Sequence, residues 1–200
     1  MKRTIFSIRR HEEKDGDELT EQGKANAVEI GRNLRDLQKV YCSPKNRAIE
    51  TAAGIVEGFG AERWEVALLL DELTPEMPEG IEDRDQIIDY WLENAYLVDG
   101  QKGNLYIAGE NVIRHLVWIH NAHSNGGIVE DITHAPNIES ALITMVDPRM
   151  RMEDIGGSFD TGEHFTVSVD YERGDVAAVS VGYRNENKQI SWEKLLEVLK

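Results

Sequence analysis

Thr4 to Gly23, TIFSIRRHEEKDGDELTEQG, is the stretch whose reading decides the fold. Ile5-Phe6-Ser7-Ile8 is an apolar run broken by one small polar residue, short enough to be a buried strand. Arg9-Arg10-His11 stands where that strand should end, and Leu19-Thr20 opens a segment that reads as a helix start. In open α/β sheets, ligands bind beyond the carboxyl ends of the strands. Arg10 and His11 are therefore placed to meet a small anion, with His11 read as a nucleophile and Arg10 as the group holding the phosphoryl it attacks.

Working outward, Thr20 is an expected N-cap, and Ala27, Ile30, Leu34 and Leu37 recur at helical spacing to about residues 36–38. Lys39 to Cys42 reads as a second strand stopped by Ser43-Pro44. A helix follows with Ala48, Ala52, Ile55 and Phe59 on one stripe, ended by Gly58 and Gly60. Val66 to Leu70 reads as a third strand with Asp71-Glu72 at its end. Residues 74–103 are irregular and acidic, with a helix expected near residues 86–97, and are read as a lid insertion. A helix is expected over residues 111–123, a strand over GIVEDIT (residues 127–133) and a short helix over residues 138–145. Phe165 to Tyr171 and Asp175 to Tyr183 alternate across Glu172-Arg173-Gly174 as a hairpin, and Ser191 caps a terminal helix. Strands alternating with helices predict a three-layer α/β/α sandwich. Its sheet is mainly parallel with an antiparallel C-terminal hairpin. No linker or repeat interrupts the 200 residues, so one domain is expected.

The formal net charge of −15 argues against nucleic acid and anionic membranes as partners, and any phosphate site must be a local cationic pocket. The single cysteine, Cys42, excludes an internal disulfide and fits a reducing cytoplasm. No stretch approaches a membrane span, and no long apolar segment follows the basic N-terminus.

Four expected strand ends carry functional groups: Arg10-His11, Ser43 through Arg47, Asp71-Glu72 and His134. Parallel neighbours would bring all four to one sheet edge. Arginine holds phosphate oxygens bidentately and stays charged. A neutral imidazole is a competent nucleophile, and a protonated carboxyl can give the leaving oxygen its proton. Arg47, at a helix N-terminus, gains from backbone amides that favour anions, whereas Arg9 is read as structural or a rim charge.

Arg10-His11-Glu12-Glu13, Leu19-Thr20-Glu21-Gln22-Gly23 and Ser43-Pro44-Lys45-Asn46-Arg47-Ala48-Ile49-Glu50-Thr51-Ala52 resemble the signatures of the histidine phosphatase superfamily, which includes the cofactor-dependent phosphoglycerate mutases. Ile132-Thr133-His134-Ala135-Pro136 resembles its second histidine block. The resemblance implies a metal-independent hydrolase of phosphate monoesters, with no cofactor and a small phosphorylated substrate. His11 would be phosphorylated on one ring nitrogen while a backbone carbonyl holds the other. Arg10, Arg47 and His134 would bind the phosphoryl group, and Glu72 would serve as acid and then base. A mutase-type phosphotransferase and a catalytically silent binding member stand as alternatives. The sequence departs from the family pattern at Glu12, where glycine is usual; its carboxylate would repel substrate or turn outward. It departs again after Glu72, which leaves Asp71, Glu76 and Glu79 as rival acids. Substrate identity and oligomeric state stay open.

Two other patterns lead elsewhere. Cys42 and Arg47 are one residue too close for a cysteine-dependent phosphatase, and Ala48 follows where a hydroxyl is needed. His115 and His120 point apart on a helix, so His115, His120 and His123 are expected to be a solvated or lid-facing set rather than a metal cluster.

Overall fold

A computed structural model describes residues 1–61, 67–68 and 104–199. The strand opening the chain, β1, spans Lys2–Arg10, and a two-rung hairpin of β2 (Lys14–Asp15) and β3 (Glu18–Leu19) follows. Helix α1 (Glu21–Asn33), β4 (Leu37–Cys42), α2 (Asn46–Phe59) and β5 (Ala67–Leu68) complete the first half. The second half runs α3 (Asn104–His120), β6 (Gly127–Thr133), α4 (Asn137–Val146), β7 (His164–Glu172), β8 (Asp175–Tyr183), β9 (Glu186–Ile190) and α5 (Trp192–Val198).

Seven of the strands form one sheet in the order β5-β4-β6-β1-β7-β8-β9. The first four are parallel, and β7, β8 and β9 continue the sheet antiparallel. The expected hairpin is thus a three-strand meander. Its last strand, ENKQI, is polar and almost wholly exposed, so it carries no apolar alternation to announce it. Helices lie on both faces, as expected. Val40, Cys42 and Ile132 pack with Ala48, Ala52 and Ile55 of α2, while Phe6, Ile8, Val129 and Val167 pack with α3, α4 and α5.

The Thr20 side chain accepts from Gly23 N at 3.0 Å and caps α1. The helix ends at Asn33, earlier than expected. Leu34 is extended, Asp36 takes a φ of +57°, and Leu37 is the first, buried residue of β4 rather than part of a helical stripe. Along α1, Gly23, Ala27 and Gly31 form a small-residue stripe. A Cβ at Gly31 would lie 2.0 Å from the Ile55 carbonyl oxygen, and one at Gly58 would lie 1.9 Å from that of Val28. The two helices therefore touch backbone to backbone, which fixes where α2 begins and where Arg47 stands. Helix α3 starts at Asn104, ahead of the expected residue 111, because Leu105 and Ala108 extend the buried stripe of Val112, Leu116 and Ile119 past Gly109. The expected lid, the helix near residues 86–97 and strand residues 66, 69 and 70 lie outside the described residues.

Candidate active site

The site is built on three adjacent parallel strands, β4, β6 and β1, whose carboxyl ends lie side by side. His11 N donates to Thr133 O and Ser43 N to Ile132 O, each at 3.0 Å, so the loops leaving β1 and β4 are both tied to β6. His11 follows β1 and is buried. Its Nδ1 donates to the Glu12 carbonyl at 2.7 Å, which leaves Nε2 with the free lone pair. Burial, aided by the charges of Arg47 and Arg10, pulls its pKa down to about 4 against the pull of that carbonyl. The imidazole is neutral at pH 7, the state a nucleophile requires.

His134 follows β6, and its ring centroid lies 5.1 Å from that of His11. Its Nε2 is hydrogen-bonded to Ser43 Oγ at 2.8 Å, and its buried Nδ1 has no partner among the described residues. Burial first, then Arg47, lowers its pKa to about 3. Arg10 Nη1 donates to the Phe159 carbonyl, while Arg47, in the first turn of α2, pairs with Asp17. In both arginines Nε is buried without a partner among the described residues. Both guanidinium charges act on both histidines. The side chains expected at 10, 11, 47 and 134 are thus brought into one neighbourhood. Buried N–H donors of two fixed cations beside a neutral imidazole suit a tetrahedral anion. Glu72 and its rivals Asp71, Glu76 and Glu79 lie outside the described residues.

Arg9, next in line, is turned away. It forms a buried bidentate pair with Glu130, with Nε to Oε2 at 3.0 Å and Nη2 to Oε1 at 3.1 Å, and so is structural. Glu12 does not turn outward. Its buried carboxylate accepts from Asn26 Nδ2 at 3.2 Å and packs so closely on Gly162 that a Cβ there would lie 2.0 Å from Oε1. Thr51, unmarked as functional in the sequence, accepts from Glu12 N at 3.0 Å and donates to Arg47 O at 2.8 Å, joining the loop after His11 to α2.

The three histidines of α3 and the turn after it are not a solvated set. His115 contacts buried Asp131 at 3.4 Å and lies edge-on to Tyr41. Burial favours both neutral forms there, pushing Asp131 up to about 8 and His115 down to about 4. His120 packs on Trp192 and Tyr171, and His123 bonds the Tyr41 hydroxyl at 3.1 Å. Among the described residues no group of three His, Cys, Asp or Glu side chains could hold a metal ion, and no helix is long and apolar enough to cross a membrane.

The family model of the histidine phosphatase superfamily (branch 1) matches residues 7–115. The chain belongs to this superfamily. Arg10, His11 and Arg47 fall within the matched residues, and His134 lies beyond them. No curated protein sequence matches the chain. Among solved structures, one named mycobacterial hydrolase 2 is 18% identical with a TM-score of 0.68, covering 99% of this chain and 97% of its own. A mycobacterial glucosyl-3-phosphoglycerate phosphatase is 13% identical with a TM-score of 0.66, covering 96% and 99%. A phosphoserine phosphatase from Entamoeba histolytica is 18% identical with a TM-score of 0.63, covering 91% and 98%. At these identities the likeness is one of fold.

Proposed function

We propose that the protein is a metal-independent phosphatase that hydrolyses small phosphate monoesters through a phosphohistidine on His11. The observation that carries this reading is the bond from His11 Nδ1 to the Glu12 carbonyl, which frees Nε2 beside two arginines whose charges reach it. Nε2 attacks phosphorus and the bond to the ester oxygen breaks, the leaving alkoxide taking a proton from the Glu72 carboxyl. Water then attacks the phosphohistidine, gives its proton to the Glu72 carboxylate, and releases inorganic phosphate as the N–P bond breaks. Arg10, Arg47 and His134 bind the phosphoryl oxygens throughout and offset the charge of the transition state. The reading is supported by membership of the superfamily and by structural neighbours whose names are those of phosphatases.

The test is phosphate release from p-nitrophenyl phosphate and 3-phosphoglycerate, with rapid acid-free quenching to trap a phosphohistidine. Wild type should release phosphate and label; His11→Ala should do neither. Isomerisation of the phosphoglycerate without net release would replace hydrolysis by mutase chemistry. Unchanged turnover in His11→Ala would remove the nucleophile altogether.

A further inference from the structure

We propose that Glu139 and Arg184, neither of them in contact with His11, are positioning residues that clamp the Ser158–Phe159 peptide and thereby aim the Arg10 guanidinium at phosphate. The inference rests on the assignment of Arg10 as a phosphate ligand. Glu139 lies in the first turn of α4, is 1% exposed, and reaches up to the loop over residues 156–163. Its Oε1 accepts from Ser158 Oγ at 2.6 Å and from Phe159 N at 2.9 Å. Arg184, from the β8–β9 turn, approaches the same peptide from the opposite side, with Nη2 donating to Ser158 O at 2.9 Å. Its guanidinium carbon sits 5.1 Å above the centroid of the fully buried Phe159 ring.

The N–H and C=O of one peptide unit are thus each held by a side chain, that of Glu139 and that of Arg184, and the ring that follows is held as well. The next carbonyl along, that of Phe159, has little freedom left, and it is the one that accepts from Arg10 Nη1. Arg184 also donates from Nη1 to Ile155 O at 2.7 Å and from Nε to Glu163 Oε1 at 3.0 Å, while Glu163 O accepts the Arg10 backbone N–H. Both the main chain and the side chain of Arg10 therefore hang on a loop stapled by Arg184. A long side chain recruited from many rotamers binds an anion less well than one already aimed. The clamp commits Nη1 to protein and keeps the buried Nε, unpartnered among the described residues, available to a ligand.

The experiment is a double-mutant cycle read by isothermal titration of inorganic phosphate, which needs no turnover, with KM and kcat for p-nitrophenyl phosphate alongside. Arg184→Gln is the first variant because Arg184 is partly exposed; Glu139→Gln, of the same shape, is the second, and thermal melts confirm that each is folded. Each should weaken phosphate binding about tenfold and raise KM by a similar factor, with kcat changed less than about threefold. In an Arg10→Ala background each should change phosphate affinity no further. Equal losses in both backgrounds, or no loss in wild type, would reduce the clamp to loop structure and overturn the inference. Phosphate binding without turnover would sink the phosphatase reading while leaving the cycle to decide this one; wild type that binds no phosphate would overturn the inference too.

Discussion

Two arginines stand in tandem at the end of β1, and only the second is assigned to phosphate. The perturbation that separates them is Arg9→Met. Arg9 and Glu130 have side chains 7% and 1% exposed, and the carboxylate relies on Arg9 for two of its hydrogen bonds, Ser7 Oγ supplying a third at 3.0 Å. Replacing Arg9 leaves a buried carboxylate short of its counter-charge, which costs about 3–5 kcal/mol. In a domain of this size that corresponds to a fall in Tm of roughly 6–20 °C, at about 2–4 °C per kcal/mol. Adding Glu130→Met removes the stranded charge and replaces the pair with apolar side chains of similar volume, a change that is often close to neutral. The double variant should therefore regain most of the lost Tm, short of wild type by the bond Arg9 Nη1 gives the Gly162 carbonyl at 2.7 Å, and keep kcat/KM for p-nitrophenyl phosphate. Arg10→Ala should do the opposite, sparing Tm and losing activity. If Arg9→Met spared Tm and lost activity as Arg10→Ala does, the assignment of the two arginines would be reversed.

Acid should act on both stability and rate. The folded protein holds His11 near pKa 4 where the unfolded chain has about 6.5, so the unfolded state takes up the proton first and stability falls as pH drops between those values. The loss from His11 alone reaches about 3 kcal/mol by pH 4, and urea titrations at pH 7 and pH 4.5 should show an acid penalty that shrinks in His11→Ala. The acid limb of kcat/KM should fall with an apparent pKa well below 6.5, because protonation removes the Nε2 lone pair. Gly31→Ala gains about 1 kcal/mol of helix propensity. It still should destabilise by about 2 kcal/mol net, since the new Cβ meets the Ile55 carbonyl and forces α1 from α2; denaturant midpoints will measure this.

The parts of the site legible in the sequence were those whose signal is local. Apolar runs stopping at Arg10, Cys42 and Thr133 mark buried parallel strands, and parallel strands put their ends on one edge, so His11, Arg47 and His134 could be placed together from pattern alone. Leu37 continues the helical spacing of Ala27, Ile30 and Leu34, so the pattern alone places it on the helix, and only the backbone reveals the reversal at Asp36. His115 and His120 read as a solvated or lid-facing set because their partners, Asp131 and Trp192, lie on other elements. Glu139 and Arg184 left no trace at all, since they act on main-chain atoms, and any residue can supply a peptide group.

The position of β6 between β4 and β1 has a consequence for biosynthesis. The two earlier strands are not hydrogen-bonded to one another, and the one that joins them is the sixth strand in chain order, beginning more than eighty residues after Cys42. A nascent polypeptide emerging from the ribosome carries His11, Arg10 and Arg47 long before anything holds them in register. Ribosome-stalled chains ending before residue 127 would hold the loops after β1 and β4 in no common register, however well α1 and α2 had docked.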